Sequence, residues 1–242
     1  MALQRRILLL RHREAAVRTA ANLHKLGYLS KIMSLSSIRR LSPPRPREIF
    51  DGIILTSPVA VQTLQHMTTA DALTKLPTYC VGRYTAERAQ AADFTNISAV
   101  EKDAASLAGY LGKHNPQQLL LYPCARNRSF DFDAHLASYD IKCKNWEIYS
   151  NELISPDRLQ LANALGSTDI IFLFSERTAL HFFKMANQDD FAQSGQNHHT
   201  FIAISPQVGR TVPRKFLANT YIANEKNESG MIDCLSAIGS DV

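Results

Sequence analysis

Two stretches about half a chain apart share one pattern. Asp51-Gly-Ile-Ile-Leu-Thr-Ser57 and Asp169-Ile-Ile-Phe-Leu-Phe-Ser175 each run from an aspartate through an apolar core to a serine. A short apolar run bounded by turn residues reads as a buried strand. A hydroxyl directly after it, ahead of a helical pattern, suits a helix N-cap. Thr78-Tyr-Cys-Val-Gly82 and Thr200-Phe-Ile-Ala-Ile-Ser205 then follow at corresponding places. A repeat at that spacing predicts two similar α/β domains. The plainer alternative is that buried α/β strands all look alike.

The rest of the chain alternates in the same way. Ile7–Leu10 reads as a strand, Ala15–Leu26 as a helix stopped by Gly27, and Lys31–Leu35 as a second strand. Strands are also expected at Phe50–Leu55, Thr78–Val81, Leu119–Tyr122, Lys142–Tyr149, Asp169–Phe174, Phe201–Ile204 and Thr220–Ala223, with helical patterns between them. Short strands alternating with helices predict an α/β fold: two similar domains, each a parallel sheet flanked by helices, joined by two crossing segments. Ser36–Glu48 breaks the alternation. It holds Pro43, Pro44 and Pro46 among Arg39, Arg40, Arg45 and Arg47, and reads as a linker or exposed loop. Ser150–Pro156 reads as the second crossing. The expected domains are residues 1–36 with 153–242, and residues 50–149, with 37–49 and 150–152 as linkers. The first β-α-β unit then packs with the C-terminal half, and a cleft between the domains is the expected ligand site.

Composition narrows the partners. The chain has 242 residues, 45% hydrophobic and 20% charged, which is the make-up of a folded protein. Its net charge of +5 favours acidic ligands. The basic residues are spread along the chain, which argues against nucleic acid. Cys80, Cys124, Cys143 and Cys234 form no Cys-x-x-Cys pair and read as reduced thiols. The apolar run Ile7–Leu10 is too short for a signal peptide or a membrane span. A soluble cytoplasmic monomer with no membrane partner is expected. No Gly-x-Gly-x-x-Gly or P-loop points to a nucleotide, and no nucleophile elbow surrounds Ser57 or Ser175. His181 and His198-His199 match no zinc spacing, so neither metal nor cofactor is expected.

Ser57, Thr85, Ser175 and Ser205 each stand where a strand gives way to a helix, with Gly82 supplying the tight turn before Thr85. The N–H groups of a first helical turn attract anions, so these four are candidate anion contacts. Plain helix capping is the other reading of each. Arg11, Arg126, Arg128 and Arg177 follow strand ends or sit in first turns, where a cation opposes the helix dipole unless an anion joins it. The alternative for each is a solvated side chain.

A set of motifs runs in order along the chain: Leu9-Leu10-Arg11 with the helix ending Leu26-Gly27, Phe50-Asp51-Gly-Ile-Ile-Leu-Thr-Ser57-Pro58, and Val81-Gly82-Arg-Tyr-Thr85-Ala86. Leu120-Leu121-Tyr122-Pro123-Cys124 with Arg126 and Arg128, Ile148-Tyr149, Phe174-Ser175 and Ala203-Ile204-Ser205-Pro206 come next. This ordered set resembles the uroporphyrinogen-III synthase family over nearly the whole chain. Two departures stand out. His12 occupies a place where the family often has proline, and Gln207-Val208-Gly209 replaces its usual threonine and alanine. That leaves backbone N–H groups or Gln207 for a contact there. The resemblance implies a linear tetrapyrrole substrate rich in carboxylates, no cofactor, and Tyr149 as general acid. The other reading of Tyr149 is a packing residue at the domain boundary. A rival from another class is a non-catalytic two-domain binding protein for an anionic ligand such as a tetrapyrrole.

Overall fold

The computed structural model describes residues 5–67, 72–114, 117–128, 131–186, 191 and 199–239. In chain order its elements begin β1 (Arg6–Leu10), α1 (Arg13–Lys25), β2 (Leu29–Ile32), β3 (Ser36–Arg40), β4 (Gly52–Leu55) and α2 (Pro58–Gln65). They continue with β5 (Thr78–Val81), α3 (Arg83–Gln90), β6 (Ile97–Glu101), α4 (Ala104–His114), β7 (Leu119–Ala125), α5 (Phe132–Ala137) and β8 (Lys142–Leu153). Next come α6 (Arg158–Leu165), β9 (Ile170–Leu173), α7 (Glu176–Met185), β10 (Thr200–Ala203) and α8 (Pro206–Gly209). A 3-10 helix (Arg214–Asn219), β11 (Thr220–Ile222) and α9 (Glu228–Gly239) complete the described chain.

The chain forms two units, Met1–Ser37 with Glu152–Val242, and Ile38–Asn151. The first holds a five-stranded sheet in the order β11-β10-β9-β1-β2, with parallel pairing throughout. The second holds a six-stranded sheet, β3-β8-β7-β4-β5-β6, parallel from β8 to β6. Ile7 to Leu10 and Ile170 to Leu173 are all at most 1% exposed. Helices cover both faces of a parallel sheet, so its central strands are continuous apolar runs. This burial explains why those runs stand out in the sequence.

The two sheets share one strand order under a circular permutation. β9, β10 and β11 take the places of β4, β5 and β6, and β1 and β2 those of β7 and β8. The repeated aspartates do the same work in both. Asp51 donates its N–H to the Leu119 carbonyl at 2.9 Å and accepts the Leu119 N–H on its carboxylate at 2.8 Å. Asp169 donates its N–H to the Arg6 carbonyl at 2.9 Å and accepts the Arg6 N–H at 2.7 Å. Each clamp fixes a central strand against its neighbour at the sheet's lower edge, and so sets the register.

In open parallel sheets, ligands gather beyond the carboxyl ends of the strands where the winding direction reverses. That reversal falls between β4 and β7 in one sheet and between β1 and β9 in the other. The residues just past these strands are Thr56-Ser57, Arg126–Arg128, Arg11 and Ser175.

Three elements differ from expectation. Ser36–Arg40, expected as linker, forms an edge strand, because all three prolines of that stretch lie after it. Arg39 and Arg40 place charge on that edge, which discourages strand addition. β7 runs through Pro123 to Ala125. The pairing with β4 is registered only at Leu120 and Leu121, so the missing N–H at Pro123 breaks no ladder on that side. β8 extends to Leu153, through residues read as a crossing.

Candidate active site

In the unit Ile38–Asn151, Thr56 and Ser57 leave β4 in an extended course, Ser57 with φ −152° and ψ 138°. Successive side chains of extended backbone point to opposite faces. The Thr56 hydroxyl lies 3.1 Å from the phenol oxygen of Tyr122. The Ser57 side chain is near enough to the Tyr149 phenol to oppose the rise that burial causes in it. Tyr122 packs with Tyr79 and Phe132 on one face of the sheet, and Tyr149 with Trp146 and Ile148 on the other.

Tyr149 reaches that face through an irregularity. Cys124 is registered with Glu147, yet Ala125 is registered with Tyr149. One residue, Ile148, is therefore extra, and a bulge of this kind re-aims the side chains beyond it. Both phenols are nearly fully buried, Tyr122 at 4% and Tyr149 at 7% exposed. Burial pushes the Tyr122 phenol up to about 12, the Thr56 hydrogen bond opposing it. Burial likewise raises Tyr149, and the Ser57 hydroxyl pulls it partly back. Both carry their protons at neutral pH.

Ser57 also caps α2, accepting the Val59 N–H at 3.1 Å. Gly82, at φ +81°, caps α3 with its backbone, and no side chain caps that helix. Its N–H donates to the Glu101 carbonyl at 2.7 Å, and a Cβ built at this glycine would meet nothing within 4 Å. Thr85, expected at the opening of the helix, is the third helical residue instead. It is buried, with its N–H donating to the Gly82 carbonyl at 3.1 Å. The positive φ at Gly82 starts the helix earlier than a hydroxyl cap would.

Beyond β7, Arg126 and Arg128 share one carboxylate. Arg126 Nε lies 3.2 Å from Glu147 Oε2, and Arg128 Nη1 lies 3.3 Å from Glu147 Oε1. Between them the Asn127 amide donates to the Asn151 carbonyl at 2.6 Å and accepts the Asn151 N–H at 3.0 Å. That pair of bonds imitates strand pairing and fixes the loop carrying both arginines.

In the other unit, Ser175 caps α7, accepting the Thr178 N–H at 3.2 Å, with the two hydroxyls 2.6 Å apart. Arg177 is exposed in the first turn of α7. Ser205 is buried and caps the four-residue helix α8, accepting the Val208 N–H at 3.4 Å. Gln207 Nε2 donates to Glu176 Oε2 at 2.6 Å, tying the starts of α7 and α8 together. Arg11, expected as an anion contact, is engaged inside its own unit. It donates to Glu228 at 2.9 Å and to Thr19 at 3.0 Å, and its guanidinium lies 4.2 Å from the centre of the Phe174 ring. Thr19 and Asn22 also donate to the Glu228 carboxylate, at 2.7 and 3.0 Å. A fixed protein carboxylate already fills the role expected of a ligand.

Sequence reasoning missed Tyr122 and Glu147. Tyr122 lies in the apolar run of β7 and Glu147 in the mixed polar sequence of β8, and only the fold brings them beside Thr56 and the Arg126–Arg128 loop. Among the described residues no three His, Cys, Asp or Glu side chains group as a metal site, and His198 lies outside those residues.

A family model described as uroporphyrinogen-III synthase HemD matches residues 18–233. The chain belongs to the uroporphyrinogen-III synthase family. Its members are cyclising lyases of haem biosynthesis. The fold agrees with solved structures. A uroporphyrinogen-III synthetase from Helicobacter pylori is similar with a TM-score of 0.68 at 18% identity, covering 98% of this chain and 100% of that one. A mutant uroporphyrinogen III synthase from Thermus thermophilus gives a TM-score of 0.57 at 15% identity, covering 98% and 100%. At such identities the likeness shows the two-domain α/β fold. No curated protein sequence matches the chain.

Proposed function

We propose that this chain closes hydroxymethylbilane to uroporphyrinogen III, with loss of water and inversion of the last pyrrole ring. The family match over residues 18–233 carries the reading. The substrate is a polycarboxylate; the unit Ile38–Asn151 offers its acidic side chains the starts of α2 and α3 at Ser57 and Gly82–Thr85, and the other unit offers the start of α7 at Ser175. Helix N-termini present N–H groups and a positive dipole end to such anions. Arg126, Arg128, Arg177 and Gln207 extend these contacts, and Ser205 holds the loop that presents Gln207.

Tyr149 is the proton donor. Its phenol proton goes to the terminal hydroxyl of the substrate. The pyrrole nitrogen supplies the electron pair that expels this hydroxyl. The hydroxyl takes the phenol proton and leaves as water, and the azafulvenium cation remains. Attack by the substituted carbon of the last pyrrole gives a spiro intermediate. Fragmentation and re-closure invert the ring, and loss of a proton restores the pyrrole and returns the phenolate to phenol. The substrate provides every electron, so the chain's main work is to hold the reacting ends in register. We place it in the cytoplasm as a monomer, acting without nucleic acid or membrane. No helix among the described residues is long and apolar enough to cross a membrane.

The test supplies fresh hydroxymethylbilane, oxidises the products to porphyrins and separates the type I and type III isomers. A type III excess that grows with protein and needs no added cofactor is expected. Type I alone, at the spontaneous rate, would leave a tetrapyrrole-binding protein without the cyclising activity.

A further inference from the structure

Arg126 and Arg128 leave the carboxyl end of β7 beside one carboxylate. Glu147 accepts from Arg126 Nε on one oxygen at 3.2 Å and from Arg128 Nη1 on the other at 3.3 Å. Two guanidinium charges against one carboxylate leave one positive charge unbalanced. The other unit treats Arg11 differently. Arg11 meets Glu228 one to one, and Thr19 and Asn22 occupy the same carboxylate. Of these two clusters, only the Arg126–Arg128 loop carries surplus charge.

That loop is also held firmly. Glu147 stands within β8, registered with Cys124, on backbone that strand pairing stiffens. The Arg126 N–H donates to the Tyr149 carbonyl at 2.8 Å. Asn127 exchanges two hydrogen bonds with the backbone of Asn151, at 2.6 and 3.0 Å. A guanidinium carries five N–H donors in a fixed fork. Arg126 gives Glu147 its Nε–H, and Arg128 gives it Nη1, so most of both forks is left for another acceptor. The Arg126 side chain is 58% exposed and that of Arg128 23%, so a ligand reaches both from solvent. A long side chain that must be ordered on binding weakens the complex, roughly two- to tenfold for each. Glu147 orders both before the ligand arrives.

We infer that Glu147 is a positioning residue for substrate binding: it aligns Arg126 and Arg128 as a pair and leaves them the net charge that takes one carboxylate of the substrate. The inference rests on the proposed function for the identity of that substrate. That the pair takes a carboxylate stands on charge and geometry alone.

The experiment uses benzenehexacarboxylate as a stable polycarboxylate probe. Arginine Nε–H resonances of nitrogen-15-labelled protein are assigned by their loss in Arg126→Lys and Arg128→Lys, then followed during titration at about 0.15 M salt, where remote charges are screened. In the parent, both resonances are expected to shift and saturate. In Glu147→Gln, with circular dichroism unchanged, the probe is expected to bind roughly fivefold more weakly. That variant carries one more positive charge, and attraction alone would tighten binding, so the direction of the change separates alignment from charge. KM for hydroxymethylbilane is expected to rise by a similar factor with kcat held. In Arg126→Gln/Arg128→Gln, KM is expected to rise as well, and adding Glu147→Gln to that variant to raise it no further, because Glu147 acts through the two arginines. Unmoved resonances in the parent overturn the inference. So does equal or tighter probe binding in Glu147→Gln, or a further loss when Glu147→Gln joins the double arginine variant. Should the parent yield type I porphyrin alone, the cyclisation reading fails, and the titration still decides whether Glu147 aligns the pair for a carboxylate.

Discussion

At the scale of single residues, burial raises the Tyr122 and Tyr149 phenols, which carry their protons at neutral pH even unperturbed. A raised phenol is a weaker acid, so in the proposed role Tyr149 donates a hydrogen bond whose proton moves late, as the hydroxyl departs. Tyr149→Phe is therefore expected to lower turnover on the order of a hundredfold, at the lower end of the usual range for positioned proton donors, and not to abolish it. Isomer analysis of that variant should still give mainly type III, since ring inversion is governed by how the substrate is held. Turnover unchanged from the parent would remove Tyr149 from the chemistry. Arg11 carries a different expectation. Arg11→Met leaves the Glu228 carboxylate to Thr19 and Asn22 and removes a charge-assisted hydrogen bond of about 2 kcal/mol. Urea unfolding should show that loss, and a midpoint equal to the parent's would show the pair to be ornamental.

At the scale of elements, two glycines have opposite reasons to be glycine. Gly82 stands at φ +81° with open space around its missing Cβ. Gly82→Ala is strained by torsion alone, at about 1–3 kcal/mol, and displaces the start of α3. Gly52 has no such torsion, but a Cβ there would lie 2.8 Å from the Tyr79 ring and 3.0 Å from the Pro77 carbonyl. Gly52→Ala forces β4 away from β5, at about 1–3 kcal/mol of overpacking. The difference lies in activity. Corrected for stability, Gly82→Ala is expected to raise KM by moving a turn proposed to hold a substrate carboxylate, and Gly52→Ala to leave KM alone. Steady-state kinetics on both variants checks this. The Asp51 and Asp169 clamps belong to the same scale. Asp51→Ala and Asp169→Ala should each cost about 1 kcal/mol, the worth of the hydrogen bond lost.

At the scale of the molecule, part of the response to mild acid comes from half-buried His12 and buried His199. Burial lowers His12 and His199 below the ordinary histidine value, the neighbouring Glu14 and Asp169 opposing it in turn. Below about pH 6.5 the unfolded chain takes up protons that these groups refuse in the folded state. Stability present above that pH is thus lost as pH falls toward the depressed folded values. Denaturant midpoints measured from about pH 7.5 to about pH 5.5 should decline, and His199→Gln should flatten the decline. The thiols give a second reading of the whole. Burial pushes Cys80, Cys124 and Cys143 up to about 12, 11 and 12. Half-buried Cys234 is expected to react first with a thiol reagent in the native protein, and the other three only on unfolding. Rapid native labelling of Cys124 would contradict the packing of β7.

Local features were legible in the order of residues alone. Buried parallel strands must be continuous apolar runs, so β1, β4, β5 and β9 could be read directly. Serine after such a run marks a helix cap, so Ser57, Ser175 and Ser205 were found at their places. The repeat of Asp51–Ser57 in Asp169–Ser175 was visible because both segments occupy the same position in one strand order. Tertiary structure settled everything that the local pattern leaves free. Strand order, which no run of residues encodes, placed Tyr122 beside Thr56. A single extra residue in β8 turned Tyr149 to the face of Ser57, and a one-residue change of phase leaves hardly any mark on hydrophobic spacing. The carboxylates that engage Arg11, Arg126 and Arg128 lie far away in sequence, at Glu228 and Glu147. An arginine's role is fixed by the charge that reaches it, and that charge arrives only when the chain has folded.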